Sequence, residues 1–469
     1  MHDYQRIADR IAADILSGRL APGRRLPPQR AFARRRGIAP STAGRVYAEL
    51  VRRGLVVGEV GRGTFVRAAP VPSGRALAEP SSTALVNLEL NYPTAQGQAE
   101  LIAPALTPLL RPDVLADATR TAPATGTPAA REAAAALLTT AGWRPAPGGI
   151  LFAGNARQAI AGALAALVRP GGRVGIDTLT YPLVKEIAAR LGVSLVPLAG
   201  DADGVLPEAV TAAHRRASLS ALYVQPTLHN PTSATMPDAR RSQLAACIRE
   251  LDVPVIEDRV WSFLSDEGEP FAAHAPDHTY VVDGLSKRVA PGLTVGFLVV
   301  PEGRTEQVGA ALRSGGWTAG SFAVEVARRW MTDGTVTRLV RAKRTDAARR
   351  QRLVAQHLRG FAVQADPRAY YAWWSLPQPW RADTFTAAAA AHGIAVTPGP
   401  SFAVPAAGTA PAGAPGPTAS GPAGHAASGA ADCVRLGLAS APIETLTAAL
   451  ATLATVAHGD PAHTVDASR

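Results

Sequence analysis

The chain has 469 residues, too many for one ordinary core, so two or more domains are expected. Its longest apolar runs, such as 159–168, are too short to span a bilayer and no secretory leader pattern opens it, which reads as a cytoplasmic protein without a membrane partner. Cys247 and Cys433 lie far apart with no ligand-spaced neighbours, which argues against a disulfide framework and against a metal site, and the net charge of +11 is unevenly placed.

Residues 1–67 hold fourteen Arg against five Asp or Glu, so most of the net charge sits in one small segment. An Arg-rich composition spread along the chain would not concentrate charge in this way; a basic small domain beside a nearly neutral large one points to a polyanion partner, because neutralised phosphates release counterions. Ile7, Ile11 and Ile15 recur at helical spacing and predict a helix from Tyr4 to Leu16. Pro27-Pro28 opens a second over Gln29–Arg36, closed by Gly37, and a third runs from about Ser41 to Arg53 with Val46, Tyr47, Leu50 and Val51 on its inner side. Two short β-rich runs, Leu55–Val57 and Thr64–Val66, flank a Gly-rich turn carrying Arg62. Three helices and a two-stranded wing fit a winged helix-turn-helix.

The segment LPPQRAFARRRGIAPSTAGRVYAELVRRGLVVGEVGRGTFV resembles the DNA-binding domain of GntR-type regulators, over residues 3–67. The resemblance implies double-stranded DNA as partner, with Arg30 at the start of the second helix, Thr42 and Arg45 on the third, and Arg62 in the wing as contact residues. Arg offers a bidentate fork for guanine or phosphate, which agrees with those roles. For Arg34, Arg35 and Arg36 a solvated face and a phosphate contact are equally open readings.

Residues 68–84, rich in Ala, Pro and Ser, read as a flexible tether between the winged helix (1–67) and a large domain (85–469). Beyond them, apolar runs at 173–176, 195–197, 221–225, 253–256, 280–282 and 295–300 alternate with Ala-rich helical stretches, the pattern of an α/β domain with a mainly parallel sheet. The stretch 405–431 is almost entirely Ala, Gly, Pro, Ser and Thr and reads as a disordered surface insertion.

Three polar residues follow consecutive predicted core strands, each about one strand-helix unit apart: Asn230 after ALYVQ, Asp258 after VPVIE, and Lys287 after YVVDGLS. Ligands of open α/β sheets sit at the carboxyl ends of strands, so the three should converge. A Lys there can form a Schiff base with an aldehyde, a carboxylate can keep a pyridine nitrogen protonated so that the ring accepts electrons, and an Asn amide can donate to a ring hydroxyl. Those are the requirements of pyridoxal 5′-phosphate. The other two lysines, Lys185 and Lys343, follow no buried strand. A surface ammonium is the plain alternative for Lys287.

DGLSKRVAPGLTVGFLVVP, with QPTLHNPTSATM and VIEDRVWSFL, resembles the motifs of fold-type I aminotransferases, and especially the MocR or GabR subfamily, in which such a domain follows a GntR-type winged helix. The resemblance implies a large fold-type I domain with a smaller C-terminal α+β part, Lys287 as the cofactor lysine, Asp258 on the pyridine nitrogen, Asn230 near the ring oxygen and Tyr181 on the ring face. It also implies Arg435 of CVRLGLAS as the grip for a carboxylate, a homodimer, and a small amino compound as effector. A structural tyrosine and a structural ion pair are the alternatives for Tyr181 and Arg435. The phosphate end falls to the amides of Gly154, Asn155 and Ala156 before a helix beginning near Arg157, with the Ser286 hydroxyl. The sequence departs from the family pattern at four positions: Val260 and Ala122 replace tyrosines, Gly284 a serine and Thr294 a phosphate-binding arginine, so that either cofactor binding is weakened or Arg288 or Arg157 compensates. A cofactor-binding regulator is thus the leading reading, beside a working aminotransferase with a DNA-binding arm and a cofactor-free dimerisation domain.

Overall fold

The computed structural model describes residues 3–16, 19–20, 24–52, 55–59, 63–66, 84–265, 268–292, 294–405 and 430–459. Arg62, nearly all of the tether and nearly all of 405–431 lie outside them. Helices α1 (Asp3–Leu16), α2 (Gln29–Arg36) and α3 (Pro40–Arg52) bury Ala8, Ile11, Phe32, Ala43, Val46, Tyr47 and Leu50 in one small core. Phe32 and Tyr47 meet edge to face at 5.3 Å, and the Tyr47 hydroxyl donates to the Pro27 carbonyl at 2.5 Å. Gly37 ends α2 with a left-handed φ of 61°, which a residue without Cβ adopts at no steric cost.

The wing carries one strand more than the sequence predicts. Besides β2 (Val56–Glu59) and β3 (Gly63–Val66), a two-residue strand β1 (Arg25–Leu26) pairs antiparallel with β3, Leu26 opposite Thr64. Two residues offer no periodicity, and their partner lies far along the chain, so no local pattern announces the pairing.

The large domain is built on a seven-stranded sheet. Its strands are β4 (Ile150–Ala153), β5 (Arg173–Asp177), β6 (Ser194–Leu198), β7 (Ala221–Val224), β8 (Val255–Asp258), β9 (Thr279–Gly284) and β10 (Gly296–Val299), in the order β4-β10-β9-β8-β7-β5-β6. All neighbours are parallel except that β10 runs antiparallel to both β9 and β4. Most strands are buried on both faces, which is why they read as unbroken apolar runs. A smaller antiparallel sheet holds β11 (Ala362–Gln364), β12 (Tyr371–Ser375), β13 (Thr397–Pro398) and β14 (Cys433–Gly437), ordered β11-β12-β14-β13.

Two glycines set how closely the parts approach. A Cβ on Gly296 would overlap the Asn155 backbone, so its absence lets the helix after Asn155 begin hard against β10. A Cβ on Gly437 would stand 2.7 Å from the Leu90 carbonyl and 2.8 Å from that of Leu88, so 88–92 can cross β14 at backbone contact. Among the described residues no helix is long and apolar enough to cross a membrane.

Candidate cofactor and effector cleft

The carboxyl ends of β7, β8 and β9 open into a cleft that is continuous with solvent. Asn230, Asp258, Lys287, Tyr181, Arg435, Asn155, Ala156 and Ser286 all line it, so the structure brings these expected residues together. Asp258 closes β8, Lys287 lies on the single turn α6 (Leu285–Arg288) that follows β9, and Tyr181 precedes α5 (Pro182–Arg190).

Lys287 is no surface ammonium. Its Nζ donates to the Asn91 carbonyl at 2.7 Å and stands 4.0 Å from the centre of the Tyr92 ring and 5.2 Å from that of Trp261. Burial, reinforced by the positive charges of Arg435, Arg157 and Lys343, brings its pKa down to about 7. An amine in that range is a nucleophile at neutral pH.

Asp258 accepts from the Tyr223 hydroxyl at 2.6 Å, from Gln225 Nε2 at 3.2 Å and from the Val260 amide at 3.0 Å. Burial still outweighs these three donors and pushes its carboxyl up to about 6. A buried carboxylate of this kind gains most from a cationic partner such as a protonated ring nitrogen. Asn230 turns its amide oxygen to Arg435 Nη1 at 3.4 Å, which leaves its NH2 group for the cleft. Arg435, on β14, is buried; its Nη2 donates to the Glu89 carbonyl and to Thr397 Oγ1, while Nε has no partner. Burial lowers its pKa to about 10.

At the opposite end the helix α4 (Ala156–Leu167) starts at Ala156, and the Asn155 side chain caps it by accepting from the Gln158 amide at 3.0 Å. The amides of Ala156 and Arg157 remain as first-turn donors. Two expectations need correction here. Gly154 does not line the cleft, because its amide is spent on the Trp317 carbonyl at 3.0 Å. Arg288 does not compensate for the missing arginine either: it forms a buried ion pair with Asp283 at 2.5 Å and points away from the cleft, whereas Arg157 lines it. Thr294, in the place of that arginine, presents a buried hydroxyl with no hydrogen-bond partner to the same cleft.

The sequence reading missed the segment 88–92. Glu89, Asn91 and Tyr92 enter the cleft from nearly two hundred residues before Lys287, held in place by the bonds from Lys287 and Arg435 to their carbonyls. The alternation of Glu89 and Asn91 with leucines was the available sign, but nothing local says what lies opposite. Tyr223 and Gln225 were also passed over, although both are polar groups on or beside a core strand. In the DNA-binding unit, Arg30 and Arg45 are exposed and Thr42 is half-buried.

Comparison with known proteins accounts for both parts. Residues 91–413 match the family model for class I and II aminotransferases, and residues 3–66 match that for bacterial regulatory proteins of the gntR family. The chain is 29% identical over 402 residues to the uncharacterized HTH-type transcriptional regulator YdeF of Bacillus subtilis, covering 86% of this chain and 87% of that one. It is 24% identical to the vitamin B6 salvage pathway transcriptional repressor PtsJ of Salmonella typhimurium, covering 85% and 91%. Among solved structures, an archaeal alanine:glyoxylate aminotransferase superposes with a TM-score of 0.69 at 18% identity, covering 80% of this chain and 91% of that one, a likeness of fold. The α-aminoadipate aminotransferase LysN of Thermus thermophilus gives the same TM-score and identity, covering 83% and 95%.

Pyridoxal 5′-phosphate is the cofactor of this family. The residues present fit it: a low-pKa amine and a buried carboxyl share the cleft, and the unpartnered Thr294 hydroxyl lies where a further acceptor is wanted. The chain belongs to the class I and II aminotransferase family and, with a gntR-type helix-turn-helix ahead of that domain, has the make-up of a MocR-type transcription regulator.

Proposed function

We propose that the large domain holds pyridoxal phosphate on Lys287 and senses an amino compound, and that the change this produces is passed to the DNA-binding unit. The observation that carries the reading is the Lys287 amine, brought down to about pKa 7 in the same cleft as the buried Asp258. When bound, the cofactor supplies an aldehyde open to amines and a ring that accepts electrons. Around it, Asp258 holds a proton on the ring nitrogen, with Tyr223 and Gln225 fixing its carboxyl. Asn230 donates to the ring oxygen, Tyr181 covers the ring face, and Ala156, Arg157, Ser286 and Thr294 take the phosphate. Arg435 receives the effector's carboxylate. Arg30, Thr42, Arg45 and Arg62 contact DNA, and the unit works as a homodimer whose twofold suits paired half-sites.

The tyrosines missing at Val260 and Ala122 favour sensing over turnover. A second reading, a working aminotransferase, draws on the assembled Lys287, Asp258 and Arg435. Absorbance of the purified chain with added pyridoxal phosphate tests the first: a visible band lost in Lys287→Ala is expected, and a native protein with no band overturns it. Rapid amino-group exchange with a keto acid would move the assignment to the enzyme.

A further inference from the structure

Two acidic side chains line the cleft among the described residues, Asp258 and Glu89. Asp258 is engaged by three donors, but the Glu89 carboxyl makes neither a hydrogen bond nor an ion pair, although the residue is only 5% exposed. Its main chain is fixed at both ends, since its amide donates to Asn87 Oδ1 at 2.9 Å and its carbonyl accepts from Arg435. The backbone is therefore held in place, and the carboxyl lines the cleft with no hydrogen-bond donor of its own. Arg435 does not donate to it, since its Nη groups are turned to Asn230, Thr397 and the Glu89 carbonyl oxygen; its charge offsets only part of the burial that raises the Glu89 carboxyl above its ordinary range.

A buried, unpaired carboxylate costs free energy until a cation or donor reaches it. On the reading above, on which this inference rests, the phosphate is matched by Arg157 and the α4 start, Asp258 by the ring nitrogen, and Arg435 by a carboxylate. One negative group of the cleft is left over, and it lies beside the carboxylate grip. We propose that Glu89 is a specificity-determining residue that receives a second protonated nitrogen, so that the effector is a diamino acid with one amine for the cofactor and another for Glu89.

The test uses the full chain loaded with pyridoxal phosphate. The cofactor band is checked before any amino acid is added, and its absence overturns the cofactor reading and this inference with it. With the band present, L-lysine is compared by calorimetry with L-norleucine, the same chain without the second nitrogen, and L-ornithine with L-norvaline. A charge-assisted contact predicts a preference of about tenfold or more for the diamino member of at least one pair. In Glu89→Gln that preference, read as the ratio within each pair, is expected to vanish. Equal binding within both pairs, or a preference that survives in Glu89→Gln, overturns the proposal, and the native ratios decide it if the variant does not fold.

Discussion

At the scale of single residues, the cleft stores its chemistry in groups removed from water. Lys343 is completely buried on α7 (Thr335–His357) and donates to the Lys287 carbonyl at 3.0 Å and the Val289 carbonyl at 2.7 Å, pinning the turn that carries Lys287. Burial lowers its pKa to about 7, as it does that of Lys287, against an ordinary value of 10.5 for both. Between those limits the folded chain binds fewer protons than the unfolded one, so stability rises with pH through the window and is lost as pH falls toward 7. Asp258 has the opposite sign: its carboxyl is raised from 3.8 to about 6, so its contribution falls as pH climbs across that range. Melting of the cofactor-free protein should therefore move to higher temperature as pH rises from about 7 toward 10.5, each buried amine adding at most about 1.4 kcal/mol of stability per pH step of one. Lys287→Met should flatten that rise; an unchanged slope in the variant would show that the amine keeps its ordinary affinity for protons.

Among the elements, the start of α4 is where the proposed reading puts the cofactor phosphate. Arg157→Ala should weaken pyridoxal phosphate binding about ten- to a hundredfold, the equivalent of one charge-assisted contact, and Arg288→Ala should act on stability instead because its partner is the buried Asp283. Equilibrium titration beside a melting curve separates the two, and full cofactor affinity in Arg157→Ala would remove its role. Gly296→Ala should displace α4 from β10 and cost about 1–3 kcal/mol of stability, since the added methyl meets backbone that cannot rotate away. Six of the seven strands of the main sheet, all but Ile150–Ala153, and the convergence of Lys287, Asp258 and Asn230 were legible because a parallel sheet puts each strand's last residues at one edge whatever the helices between them do. What escaped reading depends on contacts between distant segments. The Gly154 amide is lost to Trp317, Arg288 is captured by Asp283, and 88–92 is drawn across β14 at Gly437.

For the whole molecule, the two parts divide their work by charge. The described core of the small unit is apolar on the inner side of α3, with Val46, Tyr47 and Leu50 buried, so Arg45 faces outward, as does Arg30 at the start of α2. Fourteen arginines in the first 67 residues make binding to a duplex of any sequence a matter of counterion release, which appears as a linear fall of log affinity with log salt. Arg45→Ala should weaken binding to a random-sequence duplex and reduce that slope by about one if the side chain meets a phosphate. Lys287→Ala, which alters the cleft alone, should leave the slope of the cofactor-free protein unchanged. Fluorescence anisotropy over a series of salt concentrations measures both. An Arg45→Ala slope equal to that of the native chain would take this residue off the phosphate backbone and leave it to read bases. A slope altered in Lys287→Ala would mean that the cleft itself bears charge felt by DNA, and the division of labour between the two parts would fail.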